Sequence, residues 1–210
     1  MRPIGLFYEI PFTMSKGQET RERIIARAAE VFNVDGYAGT AISDIMRATG
    51  LEKGGIYRHF SSKDALAVAA FDYAANQVRQ RTAHLAESSS SVGTLLGFVA
   101  VFREYAHNPP LVGGCPVLNT AIDSDDTNPA LAQRAVNIIN EWRSLISTAV
   151  TKGITRGEIR PTIDGDALAL LMIATLEGAV MLARLLRDTT PLEQAANHLC
   201  EYIEQNVRMQ

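Results

Sequence analysis

Between residues 53 and 63 the chain concentrates side chains suited to gripping a polyanion: Lys53, Tyr57, Arg58, His59 and Lys63, with Gly54 and Gly55 between the first two. On a helix, Lys53 and Tyr57 lie four residues apart and share one face, while Ile56 and Phe60 share another. The apolar pair should anchor the helix and turn Lys53, Gly54, Gly55, Tyr57 and Arg58 outward. Two glycines at a helix start cost about 1 kcal/mol each relative to alanine. That suits backbone brought close to a DNA edge, and a flexible turn would use them equally well. The Tyr57 hydroxyl is placed for a phosphate oxygen. His59 adjoins the inner stripe, so it can either pack or donate to phosphate. Lys63 falls in the first turn of the next helix, where free N–H groups and the helix dipole already favour an anion.

Charge follows the same division. The chain as a whole carries −3, yet residues 47–63 hold four basic residues (Arg47, Lys53, Arg58, Lys63) against the single acid Glu52. From Asp64 onward eleven Lys/Arg face sixteen Asp/Glu. An acidic body bearing one short basic stretch is the layout of a local nucleic-acid-reading surface.

Catalytic patterns do not emerge. His59, His84, His107 and His198 are scattered, with no HExxH pair. No GxSxG, P-loop or dinucleotide fingerprint occurs, and Asp125-Asp126 lies in a polar loop. We therefore expect no enzyme activity, no cofactor and no metal. Cys115 and Cys200 are too far apart in sequence to suggest a disulfide framework or a zinc pattern, and they suit a reducing cytoplasm. An apolar fraction of 47% with 20% charged residues is ordinary for a soluble globular protein. The longest uncharged apolar stretches, 93–102 and 167–176, are about half a membrane span, so no membrane partner is expected. Residues 1–14, with Pro3, Gly5 and Pro11 ahead of Met14, read as a disordered N-terminal extension without a secretory signal.

The elements that must position these residues are all helical. Apolar spacing predicts helices over about 20–35, a short one capped by Thr40 and closed by Gly50, a third from about Glu52, and a fourth from Ser62 to about Ala86 opened by a Ser61/Asp64 capping box. After a serine hinge at 88–91, further helices are expected over about 92–106, 129–156, 164–187 and 191–207, with an irregular stretch at 107–128. The fold class is all-α: a three-helix DNA-binding bundle with a helix-turn-helix over residues 15–65, and a helical ligand-binding and dimerisation domain over 66–210.

The stretch from Thr40 to Leu66 (TAISDIMRATGLEKGGIYRHFSSKDAL) resembles the DNA-binding domain of TetR-family regulators, most specifically in the run Ile56-Tyr57-Arg58-His59-Phe60 followed by Lys63. The resemblance covers about residues 18–66. It implies base and nearby backbone contacts from Lys53, Gly54, Gly55 and Tyr57, and phosphate contacts from Tyr57, His59 and Lys63. Thr40 and Arg58 complete the expected DNA-binding set. Glu52 and Gly55 depart from the family's usual serine and threonine, which bears on which bases are read. The resemblance also implies a homodimer through the last two long helices, acting on a double-stranded DNA operator and released by a small-molecule effector.

Two features of the C-terminal half fit that layout. Leu168, Leu171, Met172, Leu176, Ala179, Val180, Ala183 and Leu186 supply more apolar surface than one core-facing stripe needs, as at an obligate interface or in a fully internal helix. Phe98, Phe102, Tyr105, Trp142 and Met172 could line an apolar cavity oriented by Asn119 and Glu141, or simply form core. Cys115, in a Gly-Cys-Pro run similar to that of a family subset with a cysteine near the ligand pocket, joins the expected ligand residues. It reads either as a small buried hydrophobe or as a thiol whose modification is the switch. The resulting expectation is a ligand-responsive repressor released from a palindromic operator by a small apolar or amphipathic effector. Thiol switching at Cys115 is its alternative, and a pure dimerisation module that leaves DNA unbound is a further rival.

Overall fold

The computed structural model of the protein describes residues 15–210, so the expectation for residues 1–14 lies outside it. Helix α1, Lys16–Asp35, starts earlier than periodicity alone implies because Ser15 and Gln18 form a capping box. The Gln18 N–H donates to Ser15 Oγ at 3.3 Å and the Ser15 N–H to Gln18 Oε1 at 2.9 Å. Gly36 ends the helix with φ 74° and ψ 163°, a positive φ but an extended ψ rather than a left-handed helical turn.

Helix α2, Ile42–Thr49, corrects the expected cap. Thr40 is 2% exposed and its hydroxyl donates back to the Gly36 carbonyl at 2.6 Å. Asp44 caps instead, accepting from the Ala41 N–H at 2.8 Å. Gly50 closes α2 in the left-handed conformation, φ 70° and ψ 16°, as an αL stop requires. Helix α3 is short, Lys53–Tyr57. Helix α4, Lys63–Thr82, is capped by Ser62 rather than Ser61: the Ala65 N–H donates to Ser62 Oγ at 3.0 Å. Asp64 is drawn away to the Tyr37 hydroxyl.

A 3-10 turn, Ala83–Glu87, leads into α5, Ser91–Arg103, which ends in a second 3-10 turn, Glu104–Ala106. Within the stretch expected to be irregular, α6 forms over Pro116–Ser124. Pro116 takes its first turn, where the missing N–H costs nothing. Helices α7 (Pro129–Thr155), α8 (Gly165–Leu186) and α9 (Thr190–Tyr202) follow, the first two capped by Asn128 and Asp164. A single π-turn, Ile203–Val207, brings the C-terminus back, and the Arg160 N–H donates to Val207 O at 3.0 Å. Among the described residues no extended strand forms, only isolated bridges.

Two cores result, and α4 belongs to both. Ile24, Ile25, Ala28, Ala29, Ile45, Ile56 and Phe60 pack with Leu66 and Ala70 of α4 in the N-terminal unit. Ala67, Phe71, Ala75 and Val78 of α4 join α5–α9 in the larger core. Adjacent faces of one helix are thereby committed to the two cores. Such a helix can transmit displacement from one core to the other.

Helix α8 divides differently from the sequence expectation. Leu168, Met172, Leu176, Ala179 and Val180 are buried in the protomer's own core, and Ala183 is partly buried, so they offer little to a partner. The exposed stripe is Leu170, Leu171, Met181, Leu182, Leu185 and Leu186. By length and composition α8 could cross a bilayer, but its other side is fully packed inside the domain.

Candidate functional site

The helix-turn-helix presents its chemistry outward. Ile56 and Phe60 are buried beneath α3, while Lys53, Gly54, Tyr57 and Arg58 are exposed. The Lys53 ammonium lies 5.9 Å from the Tyr57 ring centroid, within cation–π range, so both side chains share one face. Gly55 is half-buried against Leu51, and a Cβ there would meet Leu51 Cβ at 3.6 Å. At Gly54 an added Cβ would meet nothing within 4 Å. His59 is half-buried. Arg47 on α2 is also exposed, and its guanidinium pairs with Asp44 at 2.8 Å. A surface pair of this kind is worth little and leaves the cation accessible.

Lys63 and Thr40 sit differently from their expected roles. Lys63 is half-buried; its ammonium donates to the Tyr37 carbonyl at 2.5 Å and stands 4.3 Å from the Tyr37 ring centroid. Thr40 spends its hydroxyl on Gly36. Both brace the 36–40 turn, and the bond to Tyr37 takes one of the three donors of the Lys63 ammonium. Tyr37 is bound there as well. Its hydroxyl bonds to Asp64, and that bond and partial burial raise its pKa to about 12.

The same turn docks on the C-terminal body. Asp123 of α6 accepts from the Tyr37 N–H at 2.6 Å. Asn33, buried at the end of α1, donates to Val112 O at 2.8 Å and Gly114 O at 3.3 Å. Asn119 of α6 returns the contact, its amide reaching Asn33 Oδ1 at 2.9 Å and Gly113 O at 2.9 Å. Arg184 of α8 in turn donates to Asn119 Oδ1 at 3.2 Å. Gly113 has φ 104°, and a Cβ there would lie 2.8 Å from the Asn33 carbonyl oxygen, so this close approach requires glycine. A polar bolt therefore runs from α8 through α6 to α1. Asn119 was expected in a ligand pocket, and here it is a member of that bolt.

Most of the expected ligand residues pack against one another in the core, while Tyr105 and Asn119 each border a cavity. Phe98, Phe102, Trp142 and Met172 are at most 2% exposed. The aromatic rings pack at centroid distances of 5.2 Å (Phe98–Phe102), 5.4 Å (Phe102–Trp142) and 5.0 Å (Phe102–Tyr105). A cavity of about 610 Å³ lies elsewhere, between the 85–94 segment and α7, with Asn140, Ser144 and Lys152 on its wall. Glu141 lines it too, held by Arg79 through two bonds of 2.7 Å. Tyr105 borders a smaller cavity of about 330 Å³ with Gly113, Gly114 and Val180.

Cys115 is fully buried, and its Sγ–H donates to Glu177 Oε1 at 2.9 Å. Burial, and then the neighbouring Glu177, push the thiol's pKa well up, so it stays protonated. A protonated, enclosed thiol is a poor nucleophile. Glu177 is itself buried, and desolvation raises its pKa to about 7. Sequence reasoning passed over Glu177 and Asn33. Glu177 had a signal, as the single charge between Asp166 and Arg184 in an otherwise apolar helix. Asn33 had none, because one amide near a helix end is unremarkable until its partners 79 and 81 residues away are known.

Comparison with known proteins follows the same two-part division. Residues 24–70 match the family model described as bacterial regulatory proteins, tetR family, and residues 91–199 match the tetracyclin repressor-like C-terminal domain. The crystal structure of a TetR transcriptional regulator from Chloroflexus aurantiacus superposes with a TM-score of 0.91 at 66% identity, covering 94% of this chain and 100% of that one. An uncharacterised HTH-type transcriptional regulator of Mycobacterium tuberculosis is 30% identical over 84% of this chain and 90% of its own length. The HTH-type transcriptional repressor DhaR of a Mycobacterium species is 25% identical over 83% of this chain and 87% of its own.

Proposed function

The chain belongs to the tetR family of bacterial regulatory proteins, and we propose that it is a cytoplasmic repressor that holds a palindromic operator as a homodimer and releases it when a small molecule binds the C-terminal body. As a member of that family it is a DNA-binding regulator of transcription and not an enzyme. The observation that carries the proposal is the α3 face: Lys53, Tyr57 and Arg58 stand exposed over the buried anchors Ile56 and Phe60. A helix pinned this way enters a major groove with its polar side leading. Lys53 and Tyr57 meet base edges and adjacent backbone, with Gly54 and Gly55 allowing close approach. Arg58 and His59 supply phosphate contacts at the margin of that face. Lys63 and Thr40 act one step back, by fixing the turn from which α4 starts.

Dimerisation uses the exposed stripe of α8, Leu170, Leu171, Met181, Leu182, Leu185 and Leu186, together with α9. An unpaired apolar face of that length is the signature of a surface meant to be covered. Two recognition helices then lie about 34 Å apart, one turn of duplex. An effector that favours a different placement of α4 spoils this spacing, and it can act only through unequal affinity for the two arrangements. The protonated, enclosed Cys115 thiol favours non-covalent effector binding over thiol switching.

Fluorescence anisotropy on a labelled fragment of the DNA flanking the gene tests the reading. Nanomolar binding is expected at moderate salt. Lys53→Ala should weaken it about tenfold and lower the salt dependence by about one phosphate contact, and Tyr57→Phe should weaken it less. Unchanged binding in both variants removes the α3 face from the proposal. Leu182→Glu with Leu185→Glu should leave a monomer by sedimentation, and a persisting dimer would move the interface elsewhere.

A further inference from the structure

We infer that the effector is a compact organic cation, an amine or quaternary ammonium, whose charge is received by Glu177 beside the aromatic cluster of the C-terminal core. The inference rests on the effector-responsive reading above and concerns the chemistry of the ligand alone.

Glu177 is a carboxyl group with half of its bonding capacity unused. Oε1 accepts from Cys115, whereas Oε2 is fully enclosed and has no partner. The hydroxyl of Tyr105, also enclosed, has none either, and its ring stacks on Phe102. The groups that act on one another here are Tyr105 from the 3-10 turn after α5, Cys115 from the cap of α6, and Glu177 from α8. Arg81 stands over Tyr105's ring at 5.6 Å and is committed to Asn108 O at 2.6 Å, while Arg184, beside Gly114, is committed to Asn119 Oδ1 at 3.2 Å. Among the described residues Glu177 forms no ion pair. A buried carboxylate without a counter-charge must be neutralised, either by a proton or by a cation brought from outside. Burial raises its pKa to about 7, so near neutral pH the carboxyl is divided between its two forms and a cation can take the proton's place.

The surroundings select the kind of cation. Tyr105 lies in the field of Glu177 and stacks on Phe102, which meets Trp142 in turn, and an aromatic face with a carboxylate is what an organic ammonium binds. The described residues offer no group of three His, Cys, Asp or Glu side chains to hold a metal ion. The cavity of about 330 Å³ beside Tyr105, Gly114 and Val180 is within the range of small-ligand pockets. Glu177 and Cys115 lie behind its wall: Gly114 immediately precedes Cys115 and Val180 lies one turn from Glu177, so this cavity is the proposed way in to the carboxyl. Its rim carries Arg184 and Arg187 with Asp188, so the ligand's apolar body must supply much of the binding, and Glu177 the selectivity. Ion pairing at Glu177 would loosen its bond from Cys115. That thiol follows directly on Gly113 and Gly114, whose carbonyls are held by Asn119 and Asn33. Occupancy would thus reach α1 through the bolt.

The full-length protein supplies its own reporter, since Trp142 is its one tryptophan. Titration with hexylammonium and with 1-hexanol, followed by Trp142 fluorescence and calorimetry, separates charge from apolar body. At pH 8 the ammonium should bind at least ~10-fold tighter than the alcohol, and Glu177→Gln should abolish that preference. In the unmodified protein, ammonium affinity should fall about tenfold from pH 8 to pH 6 as protons compete for the carboxylate, while the alcohol's affinity stays level. This second arm decides the matter even if the variant does not fold. Equal affinities, a pH-independent ammonium affinity, a preference retained by Glu177→Gln, or no ammonium binding at about 10 mM would each overturn the inference. Operator binding by the same preparations without ligand tests the regulator reading separately, so the two failures are distinguishable.

Discussion

The N-terminal unit keeps apolar residues beneath α3 and presents Lys53, Tyr57 and Arg58 to solvent, whereas the C-terminal body encloses Tyr105, Cys115 and Glu177 under apolar cover. The difference follows from what each meets. A duplex is large, rigid and charged, so its reader must be convex and can bind charge while still hydrated. A small effector must be surrounded, so polar groups are carried into a low dielectric and left short of partners. The outward face costs little stability to maintain. The enclosed cluster is held at a cost that a ligand can offset.

The largest effect should come from removing the support of the outward face. Ile56→Ala, beneath α3, should destabilise the N-terminal unit by about 3 kcal/mol, within the range for isoleucine truncation. Operator binding should fall with it, while thermal unfolding of the C-terminal body stays near its original midpoint. A single transition shifted as a whole would show that α4 makes one cooperative unit of the two cores.

Next in size is the enclosed carboxyl. Its folded pKa of about 7 lies above the ordinary 4.5, so the native state holds the proton more tightly. Its contribution is fully present below about pH 4.5 and is lost as pH rises through about 7. The loss should approach roughly 3 kcal/mol. Urea midpoints measured across that window should flatten in Glu177→Gln, and an unchanged profile would assign the slope to other groups.

Asn33→Ala cuts the bolt between the regions. It strands the Val112 and Gly114 carbonyls, at a cost of about 2 kcal/mol. Effector-induced release of DNA should weaken more than DNA binding itself, as measured by anisotropy with and without effector. Equal loss of both would make Asn33 merely structural.

The smallest effect concerns Gly54, where a Cβ meets nothing in the free protein. Gly54→Ala should raise stability by about 0.5–1 kcal/mol through helix propensity. If backbone approaches the duplex there, affinity nevertheless falls. Rising stability with unchanged affinity would make the glycine a turn device.

Much of the DNA-reading unit was legible because its signals are local. Gly50 stops α2, Ile56 and Phe60 are spaced for one face, and Lys53 with Tyr57 for another. Errors there were errors of competition among neighbours: Asp44 caps in place of Thr40, and Ser62 in place of Ser61. Helix α6 was hidden in a stretch of prolines, glycines and acids, although Pro116 is a permitted first residue. On α8 the apolar set was visible but its division was not, because periodicity cannot say which side of an almost wholly apolar helix meets its own core.

Sequence alone determined the helical class, the glycine stop after α2 and the side chains offered by α3, since each depends on residues within about one turn of one another. Tertiary structure decided the rest. It turned Lys63 onto Tyr37, joined Asn33 to a loop some eighty residues away, and left Glu177 enclosed with one oxygen unmatched. Those outcomes depend on which distant surfaces exclude water together, and no spacing along the chain encodes that.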